Sequence, residues 1–329
     1  MDKKMNIGVI GLGFMGKKHI ECYLKMDNVN LAAVADVNIE SIKKEIDYKF
    51  GIYKTIEEML ESETLDAVDV CLPTIFHKEA VVKALNYGVN VIVEKPFALQ
   101  TADIDEMIEC SIKNNKRLMV AHVCRFTAEY IFAKKILDSN DLGKPLFYYS
   151  CRNSATPKWS VNNWLADKKF SGGTVMDLQI HDIDIANWLL GEAVDYKMVE
   201  VNNPLLGTAN FGHVVSTIKY RNNSVAVLEA GHLMPQVYPF TTTFRLVCEK
   251  GVLEFSKGYN SYISFVMYKD NEVIDMTDEY KLKHSEDDPY LAELVHFVEC
   301  VINNKEFAIT TTEARNAVNT VNMLKENVY

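Results

Sequence analysis

Long apolar runs, dense basic stretches and paired cysteines are all missing from this sequence, and each absence closes off a class of function. No stretch reaches the roughly 18 consecutive apolar residues of a membrane-spanning helix, and the N-terminus lacks the apolar core of a secretion signal. Arginine is scarce. Of 35 basic residues only Arg117, Arg125, Arg152, Arg221, Arg245 and Arg315 are arginine, and the formal net charge is −10. No basic run is dense enough to follow a phosphate backbone, which argues against a nucleic-acid partner. The seven cysteines (Cys22, Cys71, Cys110, Cys124, Cys151, Cys248, Cys300) are scattered, with no Cys-x-x-Cys pair. Neither a structural zinc site nor a disulfide framework is expected, and a reducing cytoplasm fits. What is present is an ordinary globular balance, 48% hydrophobic and 24% charged over 329 residues, with room for two domains.

The first third alternates strand and helix patterns. Strands are expected at Met5–Ile10, Leu31–Ala35, Leu65–Leu72 and Val89–Val93. Helices are expected at Met15–Met26, Ile39–Lys49 and His77–Tyr87, the last with Ala80, Val81, Ala84 and Leu85 on one face and Gly88 as its stop. Such alternation predicts a doubly wound parallel sheet that binds ligands beyond the carboxyl ends of its strands. After about residue 125 the pattern changes. Residues 213–268 carry strand pairs punctuated by Asn222-Asn223, Lys250-Gly251 and Asp270-Asn271, which predict hairpins of an antiparallel sheet. Two helices follow, at Pro289–Ile302 and after Thr310, where Thr310 and Glu313 have capping-box spacing. The expected fold is an α/β Rossmann domain over 1–124 and an α+β domain over 125–329.

The chemistry begins at GVIGLGFMGKKH, where Gly11, Gly13 and Gly16 form G-x-G-x-x-G around Phe14 and Met15, between a strand and a helix. The first glycine allows the tight turn, the second lets a pyrophosphate approach backbone, and the third lets helix pack on strand. Glycine turns also occur for steric reasons alone. Asp36 ends the second strand about twenty residues on, where a carboxylate accepts from a ribose diol and repels a 2′-phosphate, so NAD is favoured over NADP. Its other reading is a turn or helix cap. Pro73, Thr74 and His77 in CLPTIFHKEA either cap the next helix or line the dinucleotide. VIVEKP then delivers Glu94, Lys95 and Pro96 at the end of an apolar strand, with Pro96 restricting Lys95 to an extended conformation.

The stretch from Gly172 to Gly191 is apolar around almost its whole circumference, yet Asp177, His181 and Asp184 fall on one stripe at i, i+4 and i+7. Either these groups satisfy one another structurally, or the stripe lines a pocket; a metal pair lacks further ligands. Asp182 and Gln179 lie off the stripe and need separate partners, so the helix is not expected to be wholly dry.

Together these features resemble the Gfo/Idh/MocA oxidoreductases, the family of inositol dehydrogenase and glucose–fructose oxidoreductase. The resemblance covers the whole chain. It rests on the glycine motif with His19 three residues on, Glu94-Lys95-Pro96, Arg125-Phe126, and D-x-x-x-H at Asp177 and His181. Many relatives follow the Arg-Phe pair with Asn-Pro; this chain has Thr127-Ala128. The resemblance implies that Lys95 meets the reacting hydroxyl and that Glu94 lies near the cofactor. It also implies an open sheet that joins subunits into a dimer or tetramer. His181 is the expected base, because histidine titrates near working pH, with Asp177 orienting it or the substrate. In the loop PKWSVNNWLADKKF, Trp159 and Trp164 suit stacking on a sugar and Asn162 and Asn163 suit its hydroxyls, although the tryptophans fit a core equally. Arg125 and Tyr238 are further substrate candidates. Two rival readings are an NAD-retaining glycosidase acting by oxidation and elimination, and a non-catalytic cofactor sensor.

Overall fold

The computed structural model describes residues 4–39, 50–202, 211–258 and 263–329. The helix expected at Ile39–Lys49 therefore lies, after Ile39, outside the described residues. The chain forms two compact units. One comprises Met1–Val123, Trp159–Asn162 and Asp288–Arg315; the other comprises Cys124–Lys158, Asn163–Asp287 and Asn316–Tyr329.

In the first unit β1 (Met5–Ile10), β2 (Val29–Ala35), β3 (Gly51–Tyr53), β4 (Ala67–Val70), β5 (Asn90–Glu94) and β6 (Leu118–Ala121) form a six-stranded sheet in the order β3-β2-β1-β4-β5-β6. Every pairing is parallel. Strands covered on both faces read as apolar runs, and Val91, Ile92 and Val93 of β5 are fully buried. Strand order reverses between β1 and β4, which opens a crevice at their carboxyl ends. The helix His77–Asn86 buries Ala80, Val81, Ala84 and Leu85, and Gly88 follows it with φ +81°. The helix Pro289–Ile302 has the bounds its sequence predicts, and its contacts group it with this compact unit. Asp288 caps it through the Leu291 N–H and also accepts from Lys18 Nζ at 2.7 Å, joining it to the helix Phe14–Tyr23.

The second unit is built on β7 (Pro145–Ala155), β8 (Ala193–Asn202), β9 (Gly212–Tyr220), β10 (Val225–Met234), β11 (Thr241–Cys248), β12 (Gly251–Lys257), β13 (Ile263–Lys269) and β14 (Glu272–Asp275). Their order is β14-β13-β12-β11-β7-β10-β9-β8. The three expected hairpins form, and at the last of them Asp270 and Asn271 both have positive φ, as a tight two-residue turn requires. The sheet is nevertheless mixed rather than antiparallel, because β7 runs parallel to β10. A long crossover through the intervening helices and β8–β9 separates those two strands, and parallel neighbours need such a connection.

One face of this sheet buries Tyr148 and Ser150 of β7, Leu228 and Ala230 of β10, and Phe244 and Leu246 of β11. The helix Ile180–Leu190 packs on it, with His181, Asn187 and Trp188 partly exposed, and the off-stripe groups have the separate partners expected of them. Asp182, 1% exposed, pairs with Arg152 Nε of β7 at 2.7 Å. Gln179 donates to the Leu228 carbonyl at 2.9 Å and accepts from Ser216 Oγ at 2.6 Å. Protein groups, not solvent, satisfy both. The opposite face carries Val199, Val201, Val215 and Tyr268, all exposed. After Thr310 the expected capping box is present: Thr310 Oγ1 accepts from Glu313 N, and Glu313 Oε2 accepts from Thr310 N. It starts the helix Thr311–Glu326.

Candidate active site

The three glycines after β1 differ in what surrounds them. Gly11 has φ +90°, and a Cβ there would stand 2.7 Å from the Cys71 carbonyl oxygen. A Cβ on Gly16 would fall 1.9 Å from the Gly11 carbonyl oxygen, so only glycine lets the helix Phe14–Tyr23 start so close to the turn. A Cβ on Gly13 would meet no atom within 4 Å. The first and third glycines are thus required by the fold, whereas the second leaves open space over bare backbone. No side chain caps the helix beyond it. That is what a phosphate group needs: accessible N–H donors at a helix start. Asp36 closes the turn from the end of β2, its Oδ2 accepting from Leu12 N and its Oδ1 from Asn38 N, both at 2.7 Å. A carboxylate has about four acceptor positions, so the two bonds fix its orientation and leave capacity for hydroxyl donors.

Beneath the turn lies a buried polar cluster. His19 is fully buried, its Nδ1 2.8 Å from Asp69 Oδ2 and its Nε2 3.2 Å from Glu94 Oε1. Asp69 also accepts from Tyr23 OH at 2.9 Å and from the Cys71 thiol at 3.3 Å. Burial alone would favour the neutral imidazole, but the Asp69 carboxylate outweighs it and holds His19 well above the usual histidine range. Burial, followed by the same carboxylate, pushes the Tyr23 hydroxyl and the Cys71 thiol up. His19, Asp69 and Cys71 are close enough together to suit a metal ion, yet the hydrogen bonds among them already account for their arrangement. The sequence reading gave Asp69 no role. Its signal was the acid itself, alone inside the buried strand Ala67–Val70.

This cluster supports Glu94 and Lys95. Glu94 is 7% exposed at the end of β5 and its Oε2 accepts from the Lys95 N–H at 3.0 Å. Lys95 is partly exposed, and the Lys95–Pro96 peptide bond is cis. Pro73 is half-buried, whereas Thr74 is 3% exposed and His77 fully buried. The His77 ring nitrogens lie 2.8 Å from the Leu72 carbonyl and 3.0 Å from that of Pro96. His77 is a strut linking the loops after β4 and β5, and burial lowers its affinity for a proton.

In the second unit the expected polar stripe divides. Gly172 and Gly173, both with positive φ, lead into a π-helical turn at Val175–Gln179 before the α-helix Ile180–Leu190. A π turn winds fewer degrees per residue than an α-helix, so residues on either side do not keep i, i+4 register. Asp177 and His181 are partly exposed; Asp184 is buried, its two oxygens each 2.8 Å from Arg125 Nε and Nη2. Arg125 is 4% exposed and also stacks on Trp188. This bidentate pair engages its Nε and Nη2. Asp177 Oδ2 lies 3.8 Å from Nε2 of His232, a buried histidine the sequence reading did not single out, whose Nδ1 is 2.8 Å from Ser154 Oγ. Trp164 packs on Leu165, Ala166 and Phe211, in keeping with its core reading. Tyr238 is partly exposed, and the Asn162 side chain lies outside what is described.

This fold and turn define a dinucleotide-dependent oxidoreductase. Residues 5–122 match the family model described as oxidoreductase family, NAD-binding Rossmann fold, and residues 134–328 match its C-terminal alpha/beta domain. The chain belongs to this Gfo/Idh/MocA family. It is 30% identical over 233 residues to a myo-inositol 2-dehydrogenase of Thermotoga maritima, covering 68% of each chain. It is 26% identical over 326 residues to a scyllo-inositol 2-dehydrogenase (NAD(+)) of Bacillus subtilis, covering 95% of this chain and 91% of the other. Its fold matches, with a TM-score of 0.87 and 18% identity, that of the WlbA dehydrogenase from Bordetella pertussis in complex with NADH and UDP-GlcNAcA, covering 99% and 96% of the two chains. The open backbone at Gly13 and the oriented Asp36 fit the dinucleotide that the family binds.

The His19 cluster yields a stability prediction. Replacing His19 with leucine leaves Asp69 and Glu94 buried without their shared cation, and should cost about 3–5 kcal/mol in urea unfolding. Because folding raises the affinity of His19 for its proton, that stabilisation is full below the unfolded value of about 6.5. The gap between parent and His19→Leu should thus be widest near pH 6 and narrow as pH rises through the folded value. Equal stability of the two proteins at pH 6 would show that the cluster does not hold a charged imidazole.

Proposed function

We propose that this protein transfers a hydride between NAD and a secondary hydroxyl of a polyol or sugar, inositol-like in class. The observation that carries the reading is Lys95, partly exposed at the end of β5 with its backbone fixed by the buried Glu94, in a chain similar to two inositol dehydrogenases. Bound NAD supplies the two-electron acceptor for the hydride that leaves the carbinol carbon. The Lys95 ammonium donates a hydrogen bond to the hydroxyl oxygen and stabilises its developing negative charge. His181 removes the hydroxyl proton, and in the reverse direction returns it to the carbonyl oxygen. Asp177 orients the substrate or the imidazole.

A screen of myo-inositol, scyllo-inositol, sugars and sugar phosphates, followed by NADH absorbance, tests the activity. With the substrate so found, Lys95→Ala and His181→Ala should each lower kcat by about 10²-fold or more while NAD affinity stays within about threefold. A His181→Ala enzyme with the full rate would remove the histidine from the reaction.

The cofactor form follows from Asp36. Its carboxylate suits ribose hydroxyls and repels a 2′-phosphate, so NAD should bind more tightly than NADP, and Asp36→Ala should narrow the gap. Fluorescence titration with both nucleotides decides this, and tighter binding of NADP would reverse the assignment.

The second unit carries the proposed subunit contact. Val199, Val201, Val215 and Tyr268 leave an apolar sheet face exposed, and surfaces of that kind are commonly covered by a second copy of the chain. Light scattering should give a dimer or tetramer mass at micromolar concentration; a monomer mass would count against the contact.

A further inference from the structure

Two large aromatic rings stand in the open beside the glycine turn. Phe14, directly after Gly13, is 56% exposed and Trp159 is 52% exposed, yet their ring centroids are only 4.8 Å apart, tilted by 35°. Trp159 comes from far along the chain. The segment Trp159–Asn162 belongs to the nucleotide-binding unit, although the residues before and after it belong to the other. Apolar area of this size, held together but left uncovered, is what a ligand surface presents before its ligand arrives. The place is informative as well, because the next residue back from Phe14 is the glycine whose backbone lies open.

We propose that Phe14 and Trp159 form an aromatic clasp that packs against the bound dinucleotide and slows its release. The inference rests on the dinucleotide reading above and adds a residue outside the Rossmann sequence to that site. The glycine turn and Asp36 supply polar contacts that fix the cofactor in register. The clasp supplies apolar area, which acts mainly on how long the cofactor stays. The sequence leaves Trp159 open between stacking on a sugar and a core role; its contact with Phe14 is the reason for the cofactor role proposed here.

The test uses NAD and NADH alone, so no substrate is required. Dissociation constants come from protein-to-NADH fluorescence transfer and calorimetry, and release rates from stopped-flow displacement. Trp159→Ala should speed NADH release about tenfold, whereas Trp159→Phe, which keeps an aromatic face, should stay within about threefold of the parent. Phe14→Ala should match Trp159→Ala. The double variant should be no worse than either by more than about twofold, because residues acting as one unit are not additive. Both side chains are exposed, and unchanged thermal melts would show that the variants fold. Asp36→Ala is the control. If it weakens NAD binding while Trp159→Ala leaves release within about twofold of the parent, the clasp is refuted and the dinucleotide site stands. If the parent binds neither nucleotide, both readings fall. Additive losses from Phe14 and Trp159 would also overturn the clasp as a unit.

Discussion

Compensation of buried carboxylate charge is the constraint from which the rest of this structure follows. A carboxylate taken out of water costs several kcal/mol unless a cation and hydrogen bonds replace its hydration. Asp69, Asp182 and Asp184 are each 1% exposed or less, and each has a basic side chain within 2.8 Å. His19 serves Asp69 from the first helix, Arg152 serves Asp182 from a central strand, and Arg125 serves Asp184 from the start of the second unit. These pairs join elements far apart in sequence. They set where the helix Ile180–Leu190 lies on its sheet, and how the helix Phe14–Tyr23 meets the ends of β4 and β5.

What was legible in the sequence is what local backbone chemistry determines. Gly11 and Gly16 declare themselves because no other residue fits a φ of +90° or a contact of 1.9 Å at those positions. The Asp270-Asn271 turn and the Thr310–Glu313 cap are readable for the same reason, since each is complete within a few residues. Pairings between distant residues leave no such trace. Nothing near Arg125 indicates that Asp184, 59 positions away, will take one edge of its guanidinium with both oxygens. Nothing in the β7 sequence says that β10 will lie beside it in parallel. The helix Pro289–Ile302 is legible in its bounds but not in its neighbours, because an apolar helical face specifies that it will be buried and not by what.

The stripe on residues 177–184 shows the same limit at the candidate site. Counting about 100° per residue puts Asp177, His181 and Asp184 together, and that count assumes an unbroken α-helix. The π turn at Val175–Gln179 breaks it for Asp177, whereas His181 and Asp184 share the regular helix and differ because Asp184 pairs with Arg125. The outcome is a division of labour that the stripe concealed. Asp182 and Asp184 point into ion pairs that secure the helix, while Asp177 and His181 keep partial exposure. Single-turn π segments recur at functional sites, where a backbone irregularity re-aims a side chain without moving the helix that carries it.

The same charge accounting explains why an apolar strand ends on an acid followed by a base. Adjacent glutamate and lysine on a surface would be free to neutralise one another. Here Glu94 is turned inward: Oε1 faces His19 Nε2 at 3.2 Å and Oε2 accepts the Lys95 backbone N–H at 3.0 Å. Both carboxylate oxygens thus have partners that are not the lysine ammonium. The glutamate holds the lysine by its backbone, and the imidazolium behind it balances the glutamate's charge. Asp69 in turn stabilises that imidazolium. The lysine main chain is thus held beside an acid already compensated from the interior. The buried triad of Asp69, His19 and Glu94 is therefore the physical reason that this apolar strand can end on an acid followed by a base.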